Sequence, residues 1–148
     1  MKKFDFLLTK DKEHYIEQID LHTEKTKTSR ILDAILSARK EKLYFERRSE
    51  EICGAYVEPF PMIRNGRFYV TFKGRFERDD DGKMHFRGMI IPPIVHLVIY
   101  LFLFISIVVF APDNIAAWVL FSVFFAFFAF VTVKLMIEAY RLLREFFK

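Results

Sequence analysis

Apolar residues follow three rhythms along this chain. The clearest is the stretch RFYVTFKGRFERDDDGKMHFRGMI from Arg67, where Phe68, Val70, Phe72 and Phe76 share one parity and Arg67, Tyr69, Thr71, Lys73 and Arg75 the other. Period two is the mark of a half-buried strand. Asp80, Asp81 and Gly82 predict a three-residue hairpin loop in which Gly82 supplies the left-handed residue. Phe76 then faces Phe86, Phe72 faces Ile90 and Gly74 faces Gly88, which keeps every apolar side chain on one face; a slip by one residue would mix the faces. The paired glycines leave a gap where a ring or a helix can approach the backbone, and packing outweighs a ligand site as its explanation.

Period two returns more weakly elsewhere. FDFLL from Phe4 alternates briefly, and Asn65–Gly66 is a hairpin signal joining the long strand to EICGAYVEPFPMI, a run that Pro59 and Pro61 confine to an edge or an irregular approach. The second rhythm is helical. TKDKEHYIEQIDLH offers Thr9 as a cap and Tyr15, Ile16 and Ile19 as one face, and a second helix is predicted after Ser29 with Ile31, Leu32, Ile35 and Leu36 together. Residues 1–91 therefore read as a small α+β domain, two helices with an antiparallel meander of three or more strands.

The third rhythm has no polar beat. Residues 94–110 and 115–133 are almost free of charge, each close to the ~20 apolar residues that cross a hydrocarbon core. Two such segments as buried helices of a soluble protein would leave too little chain to cover them. Together, residues 92–133 are expected to form a two-helix transmembrane hairpin. Pro92 and Pro93 suit its entry, Asp113 or Asn114 can cap the second helix, Trp118 suits an interface, and the short connection makes the helices antiparallel. Residues 134–148 read as an amphipathic tail helix: Lys134, Glu138, Arg141, Glu145 and Lys148 share a face opposite Met136, Tyr140, Leu143 and Phe147. Such a tail is expected to rest on the inner membrane surface or on the soluble domain.

Charge placement orients the hairpin. Arg64, Arg67, Lys73, Arg75, Arg78, Lys83 and Arg87 precede the first span and Lys134, Arg141, Arg144 and Lys148 follow the second, while residues 111–114 carry no Lys or Arg. Cytoplasmic flanks carry the positive excess, so both termini are expected inside a cell inner membrane crossed more than once. Met1 to Leu8 builds no signal peptide, because TKDKEH follows at once.

Composition sharpens the chemistry mainly by exclusion. Of the 19 Phe among 148 residues, Phe121, Phe124, Phe125, Phe127, Phe128 and Phe130 surround the second span with rings, which suits lipid and argues against the polar lining a channel or transporter needs. Cys53 is the single cysteine, so a disulfide within the chain and a paired-cysteine metal site are excluded. His14 and His22 stand eight apart without a zinc-binding pattern and read as residues of a solvated helix face. His96, near the inner end of the first span with Tyr100 one turn deeper, is an ionisable residue within a span and so a candidate, with interfacial water in reach. Asp79, Asp80 and Asp81 lack calcium-loop spacing and read as a turn. Neither nucleophile elbow nor phosphate-binding glycine loop appears, and no metal, cofactor or catalytic residue is assigned.

Two surfaces remain as candidates. Ser122, Ala126 and Ala129 form a small-residue strip for helix packing. Arg67, Lys73, Arg75 and Arg87 form a basic face near the membrane, explained by topology and lipid headgroups, with Tyr69 a poor stacking platform for nucleic acid. The run FKGRF at Phe72, then a turn, then FRGMI before the span resembles small bacterial membrane proteins in which F-x-G and a later glycine close a β segment ahead of two transmembrane helices. That resemblance implies a bacterial inner-membrane protein and transfers no functional residues. The expected role is a non-enzymatic, membrane-anchored interaction or regulatory module, an accessory subunit contacting lipid and either a protein partner or its own copies, with no nucleic acid. The alternative is a membrane-associated sensor or enzyme using His85, His96 and Cys53.

Overall fold

The computed structural model describes residues 1–26, 43–48, 51–59 and 67–148, without the side chains of residues 24–26, 59, 67 and 94–97. The second predicted helix, residues 60–66 with the Asn65–Gly66 signal, and the side chains of Arg67 and His96 lie outside the described residues. Two compact units result: Met1–Pro92 with Leu135–Lys148, and Pro93–Lys134. Leu135–Lys148, nearly all of the expected tail, belongs to the first unit.

The first unit is α+β. Strands β1 (Lys2–Leu7), β2 (Leu43–Arg48), β3 (Glu51–Pro59), β4 (Arg67–Arg78) and β5 (Met84–Ile91) form one sheet in the order β1-β5-β4-β3-β2, with every pairing antiparallel. The run from β2 to β5 is the meander, and β1 adds itself to the far side of β5. Phe72 pairs with Ile90, Gly74 with Gly88 and Phe76 with Phe86, the register that the one-faced apolar pattern dictates. The β4–β5 connection closes with Asp79 and Lys83 hydrogen-bonded and Gly82 at φ 77°. Only glycine takes that conformation at no steric cost.

The expectation for β3 is corrected. It lies inside the sheet, not at an edge, because β2 reaches only as far as Tyr56 while β4 pairs on to Pro59. Proline at the last position therefore removes no ladder bond on the β2 side. β2 itself escapes sequence reading: Leu43, Tyr44 and Phe45 are all buried. Tyr44 points to the opposite face, where it clusters with Ala55, Val57 and Tyr69, so alternation disappears.

Helix α1 (Lys12–Thr26) buries Tyr15 and Ile19. It starts three residues after Thr9, whose hydroxyl donates instead to the Lys148 carbonyl at 3.2 Å. The tail is the end of a continuous helix, α3 (Ile115–Phe146), which buries Leu135, Ala139 and Leu143 on the sheet unit. Phe147, just past it, is the hub of the core. Its ring lies 4.2 Å from Phe86, 5.7 Å from Tyr15, 6.2 Å from Phe76 and 6.4 Å from both Phe6 and Phe45. Rings from one helix and four strands thus meet Phe147 within aromatic contact range.

Those rings also explain the glycines. Phe72 lies over Gly54, Phe86 over Gly74 and Phe4 over Gly88, so a Cβ at any of the three would collide with a ring. The gap in the apolar face is filled by phenylalanine from a neighbouring strand, which compensates for side chains the glycines lack.

In the second unit, α2 (Ile94–Phe110) follows Pro93 as its N-cap residue, and α3 begins with Asn114 Oδ1 accepting from the Ala117 amide at 3.1 Å. Tyr100 contacts the rings of Phe125 and Phe128, and Phe104 those of Trp118 and Phe121. Ascending numbers on α2 meet descending numbers on α3, so the pair is antiparallel. α3 is long and apolar enough to cross a membrane, and its apolar stretch is not buried within the described structure. At 17 residues α2 falls short of the ~20 usual for a span.

Candidate functional site

One sheet face is covered by α1 and the end of α3; the other carries a continuous charged network at its β1–β5–β4 side. The strand register creates it. Asp5 stands opposite Arg87, Arg87 opposite Arg75, and Glu77 opposite His85, all on the parity left over once the phenylalanines have turned inward. Asp79 Oδ2 lies 3.2 Å from His85 Nε2, and His85 Nδ1 lies 2.6 Å from Asp5 Oδ1. Arg87 Nε donates to Asp5 Oδ2 at 2.8 Å and its Nη1 to Glu77 Oε2 at 3.4 Å, while Arg75 Nε pairs with Glu77. Positive and negative groups alternate across three strands.

The network favours the charged carboxylates. Burial opposes ionisation of Asp5, but hydrogen bonds from His85 and Arg87 outweigh it and lower its pKa. Burial likewise opposes ionisation of Asp79, and the Lys83 amide and His85 outweigh it. Glu77 is lowered first by its bond from Arg75, against partial desolvation. Pairs as exposed as these are screened by solvent and contribute little to stability.

This geometry revises the basic face. Arg75 and Arg87 are there, but both are engaged by carboxylates, and Lys73 remains as an exposed cation on the same face. Sequence parity locates these residues; it misses Asp5 and Lys3, which reach the face only because β1 pairs with β5.

Of the three reactive groups in the alternative reading, Cys53 and His85 are described, and the His96 side chain lies outside the described residues. Cys53 and His85 lie two strands and four residues apart by register, roughly 16 Å from strand spacings. Burial pushes the Cys53 thiol up, which disfavours the nucleophilic thiolate. Of the helix histidines, His14 accepts from Lys10 Nζ at 3.0 Å at the surface. His22 differs from the solvated reading: it donates to the Leu43 carbonyl at 2.8 Å and packs edge-on against Phe45 and Phe146. Among the described residues no cluster of three or more His, Cys, Asp or Glu side chains is arranged to hold a metal ion.

On α3, Ser122, Ala126 and Ala129 are exposed, and the Ser122 hydroxyl donates to the Trp118 carbonyl of its own helix at 2.8 Å. The ring contacts from α3 to the described part of α2 come from Trp118, Phe121, Phe125 and Phe128. Comparison with protein-family models, curated proteins and solved structures finds no match for this chain.

Proposed function

We propose that the chain is a membrane-anchored interaction module, in which α2 and α3 form a transmembrane hairpin and the sheet unit works at the cytoplasmic surface of a bacterial inner membrane. The observation that carries this reading is the exposed apolar surface of the second unit. Phe102 at 70%, Phe110 at 85% and Phe130 at 69% exposure belong to a patch far beyond what a soluble monomer shows. Absence of Lys and Arg between the helices, against their abundance on both flanks, supports termini inside. α2 gains the needed length if Pro92 and Pro93 sit at headgroup level.

Accessory-subunit or regulatory action is supported by the paired charges of the sheet face and by the small-residue strip on α3. Ser122, Ala126 and Ala129 would contact a helix of a partner or of a second copy.

Three measurements test the reading. Alkaline carbonate should leave the chain in the membrane pellet, and an Asp113→Cys variant in a Cys53→Ser background should react with an impermeant maleimide from outside intact cells. Extraction by carbonate, or labelling only after lysis, overturns the anchor. In-membrane crosslinking should then capture one stoichiometric partner or a homo-oligomer, and Ser122→Phe with Ala126→Phe should abolish it; unchanged capture removes the helix strip from the reading.

A further inference from the structure

A concavity of about 270 Å³ opens on the charged sheet face, lined by Lys3, Lys73, Arg75 and Arg87, by Glu51 and Glu77, and by Met89 with the backbone of Gly74 and Gly88. Four cations meet two carboxylates. Glu77 is occupied by both arginines, and Asp5 at the rim by Arg87 and His85. Among the described residues Lys3 and Lys73 have no ion-pair partner. Register places them on either side of Met89, roughly 10 Å apart at Cα, near enough for both ammonium groups to close on one small anion.

The arginines are oriented beforehand. Arg75 is held through Nε, and Arg87 through Nε and Nη1, so the remaining guanidinium edges can donate without first being ordered. Orientation by carboxylates reduces the entropy that binding must cost. Charge-assisted donors from forked and point-like cations suit a phosphate group. No aromatic ring lines the concavity, which removes the stacking surface a nucleobase needs.

The geometry points to a binding site for a compact phosphate-bearing anion, held by Lys3 and Lys73 with Arg75 and Arg87 as oriented donors. Met89 precedes the first residue of α2 by five positions in the chain. The phosphate can therefore belong to an anionic lipid headgroup or to a free small molecule. The lipid source rests on the membrane reading above; the soluble source does not.

Methionine methyl NMR on the full chain in phosphatidylcholine nanodiscs reads the site directly, because Met89 is one of five methionines and is assigned by Met89→Leu. Inorganic phosphate, titrated at constant ionic strength, should shift the Met89 methyl saturably with millimolar affinity. Lys3→Gln with Lys73→Gln should weaken that binding about tenfold or more, whereas Lys12→Gln with Lys83→Gln, an equal charge change elsewhere, should not. Nanodiscs containing phosphatidic acid should reproduce the shift without added phosphate if the source is lipid, and leave it unchanged if the source is soluble. No saturable Met89 shift with either probe, or equal shifts in the Lys3 and Lys73 double variant, overturns the site.

Discussion

Phenylalanine is used in opposite ways by the two units. In the sheet unit Phe72 and Phe86 are 1% and 0% exposed, and neighbouring rings cover glycines and meet at Phe147. In the helical unit Phe102, Phe110, Phe124 and Phe130 point outward, while Tyr100 and Phe104 meet rings of α3 along the seam. On the proposed membrane reading, the same residue type solves two problems. Against water, a ring stabilises by leaving the surface; against hydrocarbon, the outside of a helix is as apolar as its inside, and packing distinguishes only the seam.

The largest expected effect separates the two uses. Phe147→Ala should destabilise the sheet unit by about 3–5 kcal/mol, since it leaves a cavity among rings from five elements. Phe124→Ala should change its unfolding little; equal losses in denaturant titrations of the reconstituted protein would erase the contrast. A charge breaks it from the other side. Phe124→Arg at the middle of the apolar segment should cost about 2.5–3.5 kcal/mol of insertion, measured as protein recovered from carbonate-washed membranes, and unaltered recovery would mean that lipid does not surround this helix.

A smaller effect tests the rings over glycines. Gly54→Ala places a methyl where the Phe72 ring and the Tyr44 carbonyl lie, and the overpacking should cost about 1–3 kcal/mol. Gly82→Ala creates no clash but meets the positive φ, so its loss should be about 1 kcal/mol. If Gly82 proves the more sensitive, turn geometry and not ring packing governs this sheet.

The smallest effects are titrations. Tyr56 is pushed up to about 12 by burial and then by Glu58 and Glu138. The unfolded tyrosine ionises near pH 10, so the unfolded state loses its proton first and stability should fall between about pH 10 and 12. Tyr56→Phe should flatten that limb. Asp5, Glu77 and Asp79 shift the other way. Their stabilisation is present above the unfolded carboxylate range near pH 4 and fades as pH falls through the lower folded values. An acid limb identical in Asp5→Asn with Asp79→Asn would show that the network is neutral for folding.

Local rules determined a good deal of this protein from its sequence. One-sided apolar parity, together with Gly82, specified the β4–β5 register because a one-residue slip reverses every side chain. Uninterrupted apolar composition marked the two apolar helices and their capping asparagine. What tertiary structure decided are the partnerships between distant segments. β2 was illegible because Tyr44 is buried on the face opposite Leu43 and Phe45, and β3 became an inner strand because β2 stops short of its proline. Asp5 and Lys3 met Arg87 and Lys73 only through β1 pairing with β5, and Phe147 became the core's centre only when the end of α3 docked on the sheet. Periodicity reports which face a residue takes on its own element; which element covers that face depends on pairings that span the chain, and these have no local signature.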